Sequence, residues 1–380
     1  MTILGIDHVE LYVADLEKSV AALCRDFGFL TAAPGEPDGR GTAATAGGSA
    51  TAGGSATAAG SATAAGSATA AGSRSVLLRQ GRVELLLTTA SAPDHPAASF
   101  VERHGDGVAS IAFRTDDVRQ AFDKAVAGGA EPIEVPAPAG PGAGLARDAL
   151  VCQAVVSGFG DVTHRLVEHD GLAGEESAAD DLFEGIDHAA ICLPAGQLEP
   201  VVRFYWDAFG FAHTFDERIE VGGQAMTSKV VQDPSGSVTF TLLEPDPRLR
   251  PGQISQFLAA HGGAGVQHLA LRTPDIVQAV RTLSGRGVEF LTAPGGYYRS
   301  LEGRLGAFDI PVDILRDVNV LADRDQWGQL FQIFSHSTHE RRTFFFELIE
   351  RRAARTFGGG NIRALYEALN EEQTSSAPWS

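Results

Sequence analysis

Apolar positions fall along this chain in an order that occurs twice. An alternating, β-branched run over residues 3–13 predicts a strand. Leu16, Val20, Leu23 and Phe27 then recur at helical spacing, and Gly28 closes the helix. In the second half a strand through Ile186, Ala189 and Ile191 precedes a helix on Leu198, Val202, Tyr205 and Phe209, closed by Gly210. Later in each half a second strand leads into a second helix. Val118, Phe122 and Ala125 mark one of these helices, and Ile276, Val280 and Leu283 the other. Each half reads as two strand-helix-strands modules in series.

The repetition extends to the residues themselves. Gly5-Ile6-Asp7-His8-Val9 returns as Gly185-Ile186-Asp187-His188-Ala189, and Gly107-Val108-Ala109-Ser110-Ile111 returns as Gly265-Val266-Gln267-His268-Leu269. More loosely, Thr163-His164-Arg165-Leu166 aligns with Phe345-Phe346-Glu347-Leu348. His8 to His188 spans 180 positions and Ser110 to His268 spans 158, so the first half carries 22 extra residues between its modules. They are accounted for by 41–73, a Gly/Ala/Ser/Thr tract that cannot bury enough surface to offset its ordering entropy and is expected to be a flexible insertion. The boundaries expected are a first domain over 1–170, a linker over 171–183 and a second domain over 184–380. Near the end, Phe357-Gly358-Gly359-Gly360 reads as a hinge, and Asn361 as the cap of a helix carrying Ile362, Leu365, Tyr366 and Leu369. Composition favours a docking helix there over a lid.

Composition narrows the function classes. The chain has 380 residues, 44% of them hydrophobic, enough for two ordinary cores. Its net charge of -18 argues against nucleic acid and anionic membrane surfaces as partners. It also means that an anionic substrate must be held locally. Three scattered cysteines fit neither a disulfide framework nor a zinc knuckle, and no signal peptide or long apolar run is present. A cytoplasmic protein is expected. Oligomeric state is left open, a homodimer included.

The candidate chemistry lies in how the two copies differ. At matched positions the first half has His8, Ser110 and Arg165; the second has His188, His268 and Glu347. Two imidazoles and a carboxylate can occupy one face of a non-haem iron, and a Ser and an Arg cannot complete that set. Taken singly, His188 and His268 also suit ordinary strand histidines. Glu347, among Phe344, Phe345, Phe346 and Leu348, needs a cation, a hydrogen-bond donor or a metal if buried. Zinc shares this ligand set, but no His-Glu-x-x-His helix is present, nor a Gly-x-Ser-x-Gly elbow.

Longer strings carry a resemblance. Gly262-Gly263-Ala264-Gly265-Val266-Gln267-His268, Gln329-Leu330-Phe331-Gln332-Ile333-Phe334, Arg342-Thr343-Phe344-Phe345-Phe346-Glu347 and the tail from Thr356 through Ala368 resemble the family of 4-hydroxyphenylpyruvate dioxygenase and 4-hydroxymandelate synthase. The resemblance spans nearly the whole chain outside the Gly/Ala/Ser/Thr tract. It implies an α+β fold of tandem vicinal oxygen chelate domains, paired βαβββ modules forming open curved β-barrels with outer helices. It further implies one Fe(II) per chain on His188, His268 and Glu347, with 4-hydroxyphenylpyruvate and O2 as substrates. The pocket positions that carry over are Ser228, Thr241, Leu243, Gln253, Gln332, Phe334, Phe345 and Ile362, with the C-terminal helix as a lid. Where the dioxygenase pattern reads Pro-x-Asn-Glu-Pro, this chain has Thr241-Leu242-Leu243-Glu244-Pro245, and Ile362 stands where a Phe usually follows the Asn. Both departures resemble the synthase, which makes 4-hydroxymandelate for hydroxyphenylglycine-containing antibiotics. The alternatives are the dioxygenase, which makes homogentisate, and, more remotely, a non-catalytic binding protein on the same fold.

Overall fold

A computed structural model of the chain describes residues 2–31, 67–70, 72–138, 150–170, 181–361 and 363. Its elements follow the repeated pattern. The first module is β1 (Ile3–Tyr12), α1 (Leu16–Ala22), β2 (Leu30–Thr31), β3 (Ser67–Ala70), β4 (Ser73–Gln80) and β5 (Val83–Ala90). After α2 (Pro96–His104) the second is β6 (Gly107–Thr115), α3 (Val118–Ala127), β7 (Pro132–Pro138), β8 (Leu150–Ser157) and β9 (Thr163–His169). The third is β10 (Gly185–Cys192), α4 (Leu198–Phe209), β11 (Ala212–Val221), β12 (Gln224–Gln232) and β13 (Thr239–Pro245). After α5 (Gln253–His261) the fourth is β14 (Gly265–Arg272), α6 (Ile276–Gly285), α7 (Gly295–Leu305), α8 (Val312–Asp317), β15 (Leu321–Arg324), β16 (Gln329–Phe334) and β17 (Phe345–Arg352).

Local chemistry explains the helices. Asp15, Asp117 and Asp275 cap α1, α3 and α6, each accepting a backbone N–H three residues on. At α4, which lacks such a cap, Glu244 Oε2 accepts the N–H groups of Gly196 and Leu198 instead. Gly28 and Gly210 both end their helices in the left-handed conformation, as the spacing predicts.

Each pair of modules closes into one strongly curled sheet. The first has the strand order β2-β4-β5-β1-β6-β9-β8-β7, with β3 also on β4; the second has β11-β12-β13-β10-β14-β17-β16-β15. The end strands of neither order pair with each other among the described residues, so each sheet is an open half-barrel. The modules meet through antiparallel pairs, β1 with β6 and β10 with β14, and both pairs bulge at the same repeat position. Ala112 lies opposite Arg165, as Ala270 lies opposite Glu347, so the loosely matched third segment is in register.

The two sheets share a core. Phe27, at the end of the α1 segment, packs on Phe346 of β17 with ring centroids 4.8 Å apart. Reciprocally, Phe209 of α4 packs on His164 of β9 at 5.4 Å, and the Tyr205 hydroxyl lies 2.8 Å from His164 Nε2. Burial holds the His164 imidazole down at about 4.

Two expectations change. Part of the Gly/Ala/Ser/Thr tract is strand: Ser67–Ala70 forms β3 on β4, and Ser73 begins β4, because those residues find unpaired ladder groups at β4. The rest, 41–66 and 71, lies outside the described residues, as do 171–180 and 364–380. Helical backbone is already present at Gly359, and Asn361 is buried and accepts a hydrogen bond from the Tyr297 hydroxyl (2.6 Å) rather than capping a helix. Cys24, Cys152 and Cys192 are free thiols. Among the described residues no helix is long and apolar enough to cross a membrane.

Candidate metal centre

Alternation along the strands decides which side chains face the hollow of the second sheet. Ala189 and Ile191 of β10 enter the main core, so His188, Ala190 and Cys192 face the other way. In β14 and β17 the register sets His268 against Phe345 and Ala270 against Glu347, and Phe334 of β16 pairs with Glu347. The outcome is convergence: one donor atom each from His188, His268 and Glu347 lie within 4.8 Å of one another. Glu347 Oε2 is 3.4 Å from His188 Nε2 and 3.2 Å from His268 Nε2. Among the described residues no other three metal-binding side chains gather in this way.

The far side of each imidazole is also held. His188 Nδ1 meets Asp187 Oδ1 at 2.9 Å, and His268 Nδ1 meets Gln267 Oε1 at 3.3 Å. Acceptors at both Nδ1 atoms hold a proton there and turn both Nε2 atoms toward Glu347, where a metal would take the place of any proton they share with the carboxylate. Burial would raise the Glu347 carboxyl, but the two imidazoles overcome it and hold the group down at about 2. An ionised carboxylate and two Nε2 atoms, all buried, form a donor set that a divalent cation fits.

Other pocket positions surround this cluster. Phe345 stacks on His268 at 5.1 Å, and Phe334 stands edge-on to Phe345 at 6.1 Å. Thr241 and Leu243 of β13 face the hollow beside Ala190 and Cys192, and Ser228 of β12 pairs with Leu243. Leu243 belongs to an apolar wall with Ala190, Cys192, Ile254 and Phe257. Buried polar atoms normally have partners, yet Gln332 Oε1 and Thr241 Oγ1 have none among the described residues, which leaves them open to a ligand. Gln253 stands apart, on the first turn of α5, lining a small recess with Met226 and Pro245. Ile362 lies outside the described residues.

Several residues of the site are absent from the sequence-level expectations. Asp187 was visible as half of a repeated Asp-His pair. Arg351 bonds both oxygens of Asp187 at 2.8 Å. Phe357 sets its ring edge-on to His188 at 5.1 Å. Gln267 is a plain strand glutamine in the sequence, with no signal beyond its neighbour.

The first half holds a different group at the matched positions. Arg165 occupies the position of Glu347, with its guanidinium 4.0 Å from Glu10 and 3.2 Å from Gln153. Glu10 in turn accepts from the Thr88 hydroxyl at 2.7 Å. Its counterpart in the second half is Ala190. A fixed organic cation with its own carboxylate occupies this hollow.

Comparisons with known proteins agree with this geometry. The glyoxalase/bleomycin resistance protein/dioxygenase superfamily model matches residues 5–150 and 185–311. A 4-hydroxyphenylpyruvate dioxygenase of Dictyostelium discoideum is 32% identical over 321 residues, covering 78% of this chain and 86% of its own. A probable 4-hydroxyphenylpyruvate dioxygenase 2 of Aspergillus fumigatus is 35% identical over 294 residues, 71% of each chain. A triply substituted 4-hydroxymandelate synthase from Streptomyces coelicolor superposes with a TM-score of 0.77 at 40% identity, covering 98% of this chain and all of that one.

Proposed function

Because the chain belongs to the glyoxalase/bleomycin resistance protein/dioxygenase superfamily, and within it to the family of 4-hydroxyphenylpyruvate dioxygenases and 4-hydroxymandelate synthases, we propose that it is a 4-hydroxymandelate synthase. The reaction takes 4-hydroxyphenylpyruvate and O2 to 4-hydroxymandelate and CO2. The C–C bond to the substrate carboxylate breaks. One oxygen atom enters the new carboxylate and the other the benzylic carbon, and no outside reductant is needed.

His188, His268 and Glu347 would hold Fe(II), which would supply the oxygen-activating chemistry. The protein's own part is positioning. Asp187 and Gln267 keep both ligand imidazoles in the right tautomer. Phe334 and Phe345 form an aromatic corner against which a phenyl ring can lie. Gln332 Oε1 and Thr241 Oγ1 stand ready for polar atoms of the substrate. The buried setting excludes bulk water from the reacting carbon.

The observation that carries the choice of product is the apolar wall at Leu243. With Ala190, Cys192, Ile254 and Phe257 beside it, this position offers no amide to hold a phenol or a bound water. A ring that is not held there can turn from the oxidant and present its benzylic C–H. Incubation of the protein with Fe(II), O2 and 4-hydroxyphenylpyruvate, followed by chromatography, tests the reading. 4-Hydroxymandelate is the expected main product; homogentisate would assign the chain to the dioxygenase instead.

A further inference from the structure

The segment that leaves β17 is gripped by the same residues that orient a metal ligand. Ala353 turns the chain out of the sheet at φ 64°, unusual for a residue other than glycine. Beyond it, Arg351 Nη1 donates to the carbonyl oxygens of Thr356 (2.6 Å) and Ala354 (3.4 Å). Asp325 Oδ2 accepts the N–H groups of Arg355 (2.6 Å) and Thr356 (2.9 Å). Segment 354–356 is thus clamped through its carbonyls by one side chain and through its amides by another. The Arg351 guanidinium also lies over the Phe357 ring, 4.9 Å from its centre. Contacts therefore run in a closed circuit: His188 to Asp187, Asp187 to Arg351, Arg351 to Phe357, and Phe357 back to His188.

Past Phe357 the chain runs close to side chains of β11, β15 and β16. Gly358 lies against the Gln332 amide and Gly359 against the Glu217 carboxylate, each so near that a Cβ would have to push that side-chain end aside. Asn361 is locked to Tyr297. A cleft of about 940 Å³ between the two halves, with Asp187, Arg351, Thr356 and Phe357 in its wall, brings solvent to the outer side of the circuit.

We propose that Arg351 is a positioning residue that ties the order of segment 354–361 to occupancy of the metal centre. The proposal rests on the reading of that centre as metal-binding. An imidazole committed to a metal through Nε2 has its Nδ1–H direction fixed, which fixes the Asp187 carboxylate, the guanidinium it pairs and the carbonyls beyond. Coupling of this kind is reciprocal: a docked segment holds the metal more tightly. The first half has the arrangement without the coupling. There His169 holds Asp7 with one nitrogen at 2.7 Å, in place of the two-pronged Arg351.

The test is hydrogen exchange by mass spectrometry on the full chain, with and without Co(II) as an air-stable probe. In the wild type, Co(II) is expected to slow exchange across 354–357 while leaving β1 to β5 unchanged. Arg351→Gln should abolish that response and weaken Co(II) binding about 10–100-fold, the usual effect of losing an outer partner of a ligand. Arg351→Lys, which keeps one bond to Asp187, should recover part of the affinity without the grip on the carbonyls. Phe357→Leu should lessen the exchange response and, by the same reciprocity, weaken Co(II) binding to a smaller degree than Arg351→Gln, and it carries the test if the Gln variant does not fold. Tight Co(II) binding with unchanged exchange at 354–357, or a wild-type response in Arg351→Gln, overturns the coupling. Failure of the wild type to bind Co(II) overturns the metal centre itself, and the coupling with it.

Discussion

His8 and His188 occupy the same position in two copies of one strand, and each is braced by the aspartate before it. Asp7 Oδ2 lies 2.8 Å from His8 Nδ1, and Asp187 Oδ1 lies 2.9 Å from His188 Nδ1. The copies diverge on the Nε2 side, where His188 meets Glu347 and the first half has placed Arg165 beside Glu10. A histidine and its brace do not make a metal site without the second imidazole and the carboxylate.

Accordingly, His188→Ala, His268→Ala or Glu347→Ala should each abolish turnover and leave the purified protein without stoichiometric iron. His8→Ala should keep both. Iron content by atomic absorption, measured beside activity, separates the two halves. Equal loss in His8→Ala and His188→Ala would remove the site from the second half.

Acid should weaken the protein through two buried imidazoles. Burial holds both His164 and His261 at about 4, against 6.5 in the unfolded chain. His261 is sandwiched by His104 (4.4 Å) and Phe257 (5.0 Å), with Arg341 and Asp161 the charges that act on it besides His104. The unfolded state takes up these protons first, so the stability they contribute is whole above about pH 6.5 and is lost as pH falls toward 4. At about 1.4 kcal/mol per unit, the His164 site alone accounts for about 3 kcal/mol. His164→Phe with Tyr205→Phe removes the donor and the acceptor together. Its urea midpoint should fall less between pH 7.5 and 4.5 than the wild type's, and identical slopes would refute the assignment.

Leu243→Asn combined with Ile362→Phe should divert part of the product toward homogentisate or other ring-oxidised species. The Asn enters an apolar wall, with Ser228 across the ladder. An amide buried there without a partner costs about 1–3 kcal/mol, so a lower melting temperature in the absence of substrate should accompany the change. Unchanged product from a folded double variant would show that these positions do not steer the reaction.

Gly358→Ala should loosen the covering segment. Its φ of 72° disfavours any side chain, and a Cβ would collide with Gln332. Strain of this kind costs about 1–3 kcal/mol, which predicts roughly a tenfold or greater fall in kcat/KM with little change in global stability. A wild-type kcat/KM would mean that this conformation is not the one in which turnover occurs.

The modular fold was legible because its signals are periodic. Leu198, Val202, Tyr205 and Phe209 announce α4, and Gly210 its end. Matching the copies singled out Ser110 and Arg165 as the positions where the halves differ, and the offset between them located the extra length before β4. The strand at Ser67–Ala70 was not legible, since its small residues carry no β signal and the pairing comes from β4. Nor was the outer bracing of the site. Arg351 and Gln267 earn their roles from sheet register and from a turn at Ala353, which no local pattern announces. Asn361 looked like a helix cap because its partner, Tyr297, is 64 residues away and on another element.

The reciprocal packing of Phe27 on Phe346 and of Phe209 on His164 bears on how such a chain can evolve. The half without ligands supplies the surface on which the ligand-bearing strand β17 rests. Its matched positions need hold no metal, but its shape must still support that strand. Selection would then act on this half as a scaffold. Substitutions that filled its hollow, such as an ion pair at Arg165 and Glu10, would be tolerated, and any that moved Phe27 would be felt at Glu347. Cutting the gene at the linker would yield two halves each with an uncovered apolar face, each unsuited to an independent life.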